Sequence, residues 1–533
     1  MIKTLPMKYW QGTIILLLTM NNVFAQENSP VIMPYNYTNM RELYLDKENR
    51  HTALKGILYE DTTVFDRAGK SWLYRKLFHE HLVEVRQPDF NVFMDLHADL
   101  NVGRTNAGGG KNTWLNTRGA SIQGNIGKQL YFETYFFENQ GAFPAYLDTF
   151  IRKYRVVPGQ GEIRNFSGGK AFDYAYVNAK LSYTPSKFLN LTAGYGSNSI
   201  GDGYRSLILS DVPFSYPYLK ATINLGNVQY TSMWAQFQDM KSLSFREAET
   251  DAGYYKKWGV FHFLDWNINK KITVGLFDAV MWSDYDTTSK RKRGFDWTYM
   301  NPIIFLRPAE FSVGSSDNAM IGLNVKYKVL PKLTTYGQFM LDEFKLSEFF
   351  GGEGWWANKW AMQLGFRSFD LFKVKQLDLQ GEYNVVRPYT YSFRNSFANY
   401  AHYNQSLAHP LGANFQEVLG IASYTYKRWY LRGQLTYANY GLDPDEATNY
   451  GKDIVLKDYT TRAQEYGNKI GQGIKTDLIY LTGSLAYVLN PKYNLRLEAS
   501  VTGRRQKNEL GTTGETMFQF GLRTTFRQFY YDF

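Results

Sequence analysis

The chain has 533 residues, no cysteine and a formal net charge of +11, which excludes disulfides, thiolate metal sites and a lipid anchor on cysteine. Aromatic residues make up 17% of it, yet the mean hydropathy is −0.41, so apolar surface is plentiful but dispersed. After residue 25 no apolar run approaches the roughly 18 residues that a spanning helix needs, which excludes a helical membrane protein.

Residues 1–25 read as a secretory leader. Lys3 and Lys8 form a basic start, Gly12 to Met20 is a short apolar core, and Val23 and Ala25 stand where small residues precede cleavage. Cleavage there makes Gln26 the first mature residue and leaves a charge of +9, since only Lys3 and Lys8 are lost. Export argues against nucleic acid as a partner. A basic exported surface meets anionic lipid head groups or an acidic polysaccharide instead.

Residues 26–88 lack the alternation of the rest and are expected to form a small N-terminal helical and irregular plug or periplasmic segment. Trp72 to Val85 has helical spacing in Trp72, Leu73, Leu77 and His81, then Leu82 and Val85. His79-Glu80-His81 reads as a polar face, because a helical metal pair needs histidines at i and i+4. No metal or other cofactor is expected.

From residue 89 to 533 apolar and polar residues alternate. Leu495, Leu497, Ala499 and Val501 interleave with Arg496, Glu498, Ser500 and Thr502; Leu377, Leu379, Gly381 and Tyr383 interleave with Asp378, Gln380 and Glu382. Successive strand side chains point to opposite faces, so each segment has one apolar and one wet face. Leu497 is expected to face lipid and Glu498 the lumen, where Glu498→Gln should cost much less than Leu497→Arg.

Tight connections such as Gly127-Lys128, Gly226-Asn227, Leu330-Pro331-Lys332 and Asn490-Pro491-Lys492 alternate with long ones near 105–116, 141–170, 200–217, 240–254, 284–316, 345–357, 392–414, 442–477 and 508–514. Eight short turns and nine long connections predict an all-β fold, a transmembrane antiparallel barrel of about eighteen strands with both termini periplasmic. Trp114, Tyr131, Trp234, Trp258, Trp282, Trp355, Trp356, Trp429 and Tyr430 fall near strand ends and are expected to form interfacial girdles. The ending, Phe529-Tyr530-Tyr531-Asp532-Phe533, reads as a terminal aromatic strand that the barrel-insertion machinery would recognise.

Catalytic patterns are missing. Asp202 and Asp211 flank a tyrosine-rich loop, but acids are common in external loops, and no G-x-S-x-G elbow or phosphate loop occurs. A non-enzymatic protein is expected. Two segments differ from ordinary loops. Met300 to Phe311 is an apolar run held by Pro302 and Pro308, expected to fold into the lumen or over the mouth. Asn384 to Tyr391 and His402 to Asn414 concentrate Tyr, His, Arg and Asn, residues that stack on sugar rings and bond hydroxyls or carboxylates. Arg307, Arg387, Tyr389, His402 and His409 are the candidate ligand contacts. The alternative is that they only pin the loops into the lumen.

With the leader and barrel, the runs N-P-x-x-F-L-R-P from Asn301 and V-R-P-Y-T-Y from Val386, the latter continuing through Ala401-His402-Tyr403-Asn404 and Leu407-Ala408-His409-Pro410-Leu411-Gly412-Ala413-Asn414, resemble the capsule-assembly Wzi family. They look most like its Bacteroidetes branch, which includes gliding-motility proteins. The resemblance covers about residues 70 to 533. It implies a barrel with a helical plug, seated in outer-membrane lipid and binding or organising surface polysaccharide, with a link to gliding. A porin-like diffusion channel is the alternative.

Overall fold

In the computed structural model, residues 37–55, 67–240, 253–286, 291–303 and 317–533 are described, apart from 344, 395, 446, 457 and 525–528. Eighteen antiparallel strands close into a barrel. In chain order they are β1 (Phe90–Thr105), β2 (Lys111–Ile126), β3 (Leu130–Ala142), β4 (Ala171–Ser186), β5 (Leu189–Gly196), β6 (Tyr216–Leu225), β7 (Val228–Asp239), β8 (Tyr255–Asn267) and β9 (Ile272–Ser283). There follow β10 (Asn318–Leu330), β11 (Leu333–Leu341), β12 (Trp360–Ser368), β13 (Leu377–Val386), β14 (Phe415–Tyr426), β15 (Trp429–Leu442), β16 (Ile474–Asn490), β17 (Leu495–Asn508) and β18 (Gly511–Arg523). Each pairs with its neighbours in sequence. The ring closes where β18 pairs with β1, with Phe520 opposite Val102.

The alternation assigns the two faces. Leu96, Val102, Leu219, Leu364, Phe518 and Phe520 are more than half exposed, and with Leu431, Leu481, Leu485 and Leu497 they form an apolar outer band. Asp95, His97, Asp99, Asp378, Gln380, Glu382, Arg496 and Glu498 are buried on the inner face. A closed antiparallel barrel with such a band satisfies every ladder group without water and leaves no open edge. The protein is an outer-membrane β-barrel.

All eight tight turns fall where expected. The other connections lie at the opposite end; outer-membrane barrels keep short turns periplasmic and long loops external, which puts the start of β1 and the end of β18 on the periplasmic side. Two external connections are shorter than the composition implied: 106–110 between β1 and β2, and 509–510 between β17 and β18.

The aromatic positions divide. Trp429 is half exposed on the outer wall, as a girdle residue should be. Tyr131 and Tyr430 turn inward and are buried. Trp234, Trp258 and Trp282 point outward but lie beneath Phe295 and Tyr299 of the β9–β10 connection. The described start of the apolar run thus packs on the outer wall: Trp234 Nε1 donates to the Tyr299 carbonyl at 3.0 Å. Arg307 and the rest of 304–316 lie outside the described residues, as does the leader.

The N-terminal segment is partly helix and partly wall. Helix α1 (Tyr37–Leu45) is held at the periplasmic end by Arg41, which pairs with Asp370 and Asp378. Leu54–Lys55 then adds two residues of ladder to Ser199–Ile200. Helix α2 (Trp72–Phe78) is capped by the Ser71 side chain and stops at His79, which leaves helical geometry. The expected helical reach to Val85 is not kept: Val83–Arg86 alternates and pairs with β1, Val83 opposite Met94. Edge pairing outcompetes the helical spacing there. Glu80 is ion-paired with Arg67, Arg75 and Lys76, and His81 Nδ1 is hydrogen-bonded to Asp95 at 2.6 Å.

The end of the chain departs most from expectation. Residues 529–533 do not form a strand; the final strand is β18, ending at Arg523. Tyr530 and Asp532 are buried inside the barrel. The alternating aromatics mimic a strand, but the closing edge of the wall is already filled by the β18–β1 seam.

Candidate functional site

The site is the external half of the lumen and the loops above it. Inward residues of β6 to β16 supply an apolar lining, including Phe237, Phe261, Phe277, Met340, Phe415 and Leu478. Connections 197–215 and 387–414 fold down onto this lining, bringing Leu207, Ile208, Leu209, Tyr391, Tyr400 and Leu407 into one buried cluster with Ala53 of the N-terminal segment. Burying this area is strongly favourable at roughly 25 cal/mol per Å² of apolar surface.

Polar groups carried inward are paired. Arg205 is fully buried, with Nη2 at 2.9 Å from Glu417 and 2.6 Å from Asp532. Asp202 accepts from the Tyr44 hydroxyl at 2.9 Å, from Thr52, and from Asn324 at 3.1 Å. Asp211 accepts from the Tyr530 hydroxyl at 2.9 Å. Asp202 and Asp211 therefore act as anchors for other segments rather than as a pair of acids facing one ligand.

The tail crosses this region. Asp532 also accepts from Gln434 at 2.6 Å and Thr436 at 2.9 Å. A terminal oxygen of Phe533 accepts from Arg504 Nε at 3.0 Å. The Phe533 ring meets Phe150 at 4.7 Å, on helix α3 (Ala145–Tyr154) of the β3–β4 connection. A segment leaving the wall on the periplasmic side thereby holds an external helix.

The sequence-derived contacts are brought to the same end of the barrel but not onto one surface. Tyr389 is fully buried; its hydroxyl donates to the Asn449 carbonyl at 2.8 Å and its amide donates to Gly451 at 3.0 Å. Tyr389 and Tyr391 adopt left-handed φ of 66° and 74°, each costing about 1–3 kcal/mol for a non-glycine residue, so the surrounding bonds dictate the loop's path. His402 Nδ1 accepts from the Gln238 amide at 3.0 Å, so Nε2 carries the proton and donates to Ser215 at 3.2 Å. Burial pushes His402 down to about 3, keeping it neutral. His409 Nδ1 accepts from the Leu411 amide, so Nε2 donates to Glu417 at 2.9 Å. Arg387 is half-buried, with Nη2 reaching the carbonyls of Trp355 and Asn468 at 3.4 and 3.3 Å. These four pin loops together. Arg205, Asp532 and Lys359, whose Nζ donates to the Ser392 carbonyl at 3.0 Å and pairs with Asp458 at 2.5 Å, also bind the loops; burial of a loop cation leaves no local signature in the sequence.

No family model matches the sequence, and no curated protein matches it. Among solved structures, one similar fold is Wzi, an outer-membrane protein involved in group 1 capsule assembly in Escherichia coli and described as a carbohydrate-binding β-barrel, at 13% identity over 80% of this chain and 85% of that one, with a TM-score of 0.47. Others are OccAB2 of Acinetobacter baumannii, at 10% identity over 81% and 97% with a TM-score of 0.44, and the outer-membrane protein OprD of Pseudomonas aeruginosa, at 9% identity over 82% and 96% with a TM-score of 0.42. At TM-scores below 0.5, these likenesses carry no argument about what the barrel does.

Proposed function

We propose that this barrel is a non-enzymatic surface protein that binds or organises polysaccharide, and that it serves capsule attachment or gliding. The observation that supports this reading is the packing of loops across the external half of the lumen among the described residues. Wall residues, connections 197–215 and 387–414, the N-terminal segment and the tail pack into one cluster across the external half, so the working surface is the outside of the loops. Arg387, Tyr389, His402 and His409 hold the loops that do the contacting.

The test is a deletion strain and purified protein used together. Cells lacking the protein should lose retained surface polysaccharide or spreading motility, and the protein in planar bilayers should show no steady conductance. Full polysaccharide retention with normal spreading would overturn the proposal. A channel reading draws on the opposite wall, where Asp95, His97, Asp99, Asn101 and Thr502 make a polar strip; stepwise conductance would favour it.

A further inference from the structure

A polar cleft lies on the outer face of β3 and β4, just above the apolar band. Phe136 and Leu181 are exposed outward on these strands. Two and four residues further on, at the same parity, Glu138 and Gln140 point the same way, as do Ala175 and Asp173 on β4. Glu138 stands opposite Ala175 and Gln140 opposite Asp173. Arg164, in the short strand Arg164–Phe166, stands opposite Asp173 on its other side. The connection 155–164 walls in the space and leaves a cavity of about 760 Å³, within the range of small-ligand sites.

The chemistry of the lining is specific in kind. Arg155 is neutralised by Glu162 at 3.0 Å. That leaves the carboxylates of Glu138 and Asp173, the Gln140 amide and the Arg164 guanidinium facing the cleft. Carboxylates accept from hydroxyls, and amide and guanidinium donate to them. At the rim the exposed Phe166 ring meets Trp114 edge-on at 6.4 Å, an apolar edge of the sort on which a sugar's CH face packs. With Arg118 standing opposite Glu138 on the same outer face, three acids meet three arginines, so the cleft carries no excess of positive charge to favour a polyanion.

We infer that this cleft binds an uncharged, hydroxyl-rich saccharide segment, held against the outer wall at the level of the glycolipid head groups. The inference rests on the polysaccharide-binding reading and names its substrate class, a neutral saccharide in place of the acidic polymer that the net charge suggested. The saccharide is either a free surface chain or the sugar portion of an outer-leaflet glycolipid; the chemistry presented is the same.

The test uses full-length protein in phospholipid vesicles and polysaccharide extracted from the producing cells. The extract is split into neutral and acidic pools, and the neutral pool into lipid-linked and lipid-free arms. Wild type should retain neutral material, and the arm retained identifies the source. Arg164→Ala and Asp173→Ala should each reduce retention at least tenfold, with the barrel still heat-modifiable. Lys507→Ala, on the rim at β17, should not. Neutral retention unaffected by both cleft variants overturns the inference. Retention of the acidic pool alone also overturns it, yet leaves the general polysaccharide reading standing. Retention of neither pool removes both.

Discussion

Arg205 and Asp532 form an ion pair of 2.6 Å inside the barrel, joining an external loop to the penultimate residue of the chain. Arg205 also holds Glu417, so one guanidinium bridges loop, wall and tail. Arg205→Met leaves two buried carboxylates without their cation and should cost about 3–5 kcal/mol, the range for breaking a buried pair. Asp532→Asn leaves the Glu417 pair intact and should cost less. Denaturant midpoints of the refolded barrel decide this; a reversed order would sink the bridging role.

Removing residues 529–533 should leave the barrel wall intact and loosen α3. Limited trypsin digestion of the truncated barrel should cut faster at Arg152, Lys153 and Arg155, while amide exchange in β1 and β18 stays slow. Loss of heat-modifiable barrel would show that the tail is needed for insertion itself, as the terminal-strand expectation had it.

Leu497 faces lipid, and Leu497→Arg should destabilise the barrel by about 2–4 kcal/mol if it sits near the midplane. Its neighbour Glu498 bridges Arg496 at 2.7 Å and Arg523 at 2.5 Å. Glu498→Gln removes the anion between two guanidinium groups, so its cost should approach that of Leu497→Arg rather than be small. Equilibrium unfolding of both variants in lipid vesicles checks this; a neutral Glu498→Gln would mean that solvent screens the pair.

Burial raises the Asp342 carboxyl to about 7, with Lys359 opposing and Glu343 adding to the shift. In the unfolded chain the group titrates near 3.9. The folded state therefore holds the proton more tightly, and its contribution is fully present below pH 4 and lost as pH rises through about 7. Asp342→Asn keeps an acceptor for the Tyr391 amide, which is 2.8 Å away, and should flatten the fall in stability between about pH 4 and 7. Identical slopes in variant and parent would contradict the burial argument.

With no native cysteine, single labels report sidedness cleanly. Leu510→Cys, in the β17–β18 connection, should react with a membrane-impermeant maleimide on intact cells, and Lys187→Cys, in the β4–β5 turn, should not. Reaction at Lys187 alone would invert the barrel.

The wall was legible because lipid on one face and a wet or packed interior on the other impose a period of two, and because short turns need Gly, Pro and Asn. The tail was not: Phe529, Tyr531 and Phe533 alternate whether they pair in a sheet or pack inside one. The loop cluster around Arg387 to Asn414 stood out by composition, but tyrosines and histidines look the same in sequence whether they meet sugar or one another. The outer cleft left no local trace, since Glu138, Arg164 and Asp173 meet only through the registers of neighbouring strands.

The seam of β1 and β18 has a bearing on the order of folding. It joins the two ends of the wall, so it carries the longest closure in the chain and should form slowly. His51, Thr52 and Ala53 of the N-terminal segment, two inward connections and the final residues lie within the ring it completes. Once that ring is shut, the tail would have to thread a passage already occupied by its own partners. The interior must therefore be gathered while the seam is open, and closure is the step that traps it.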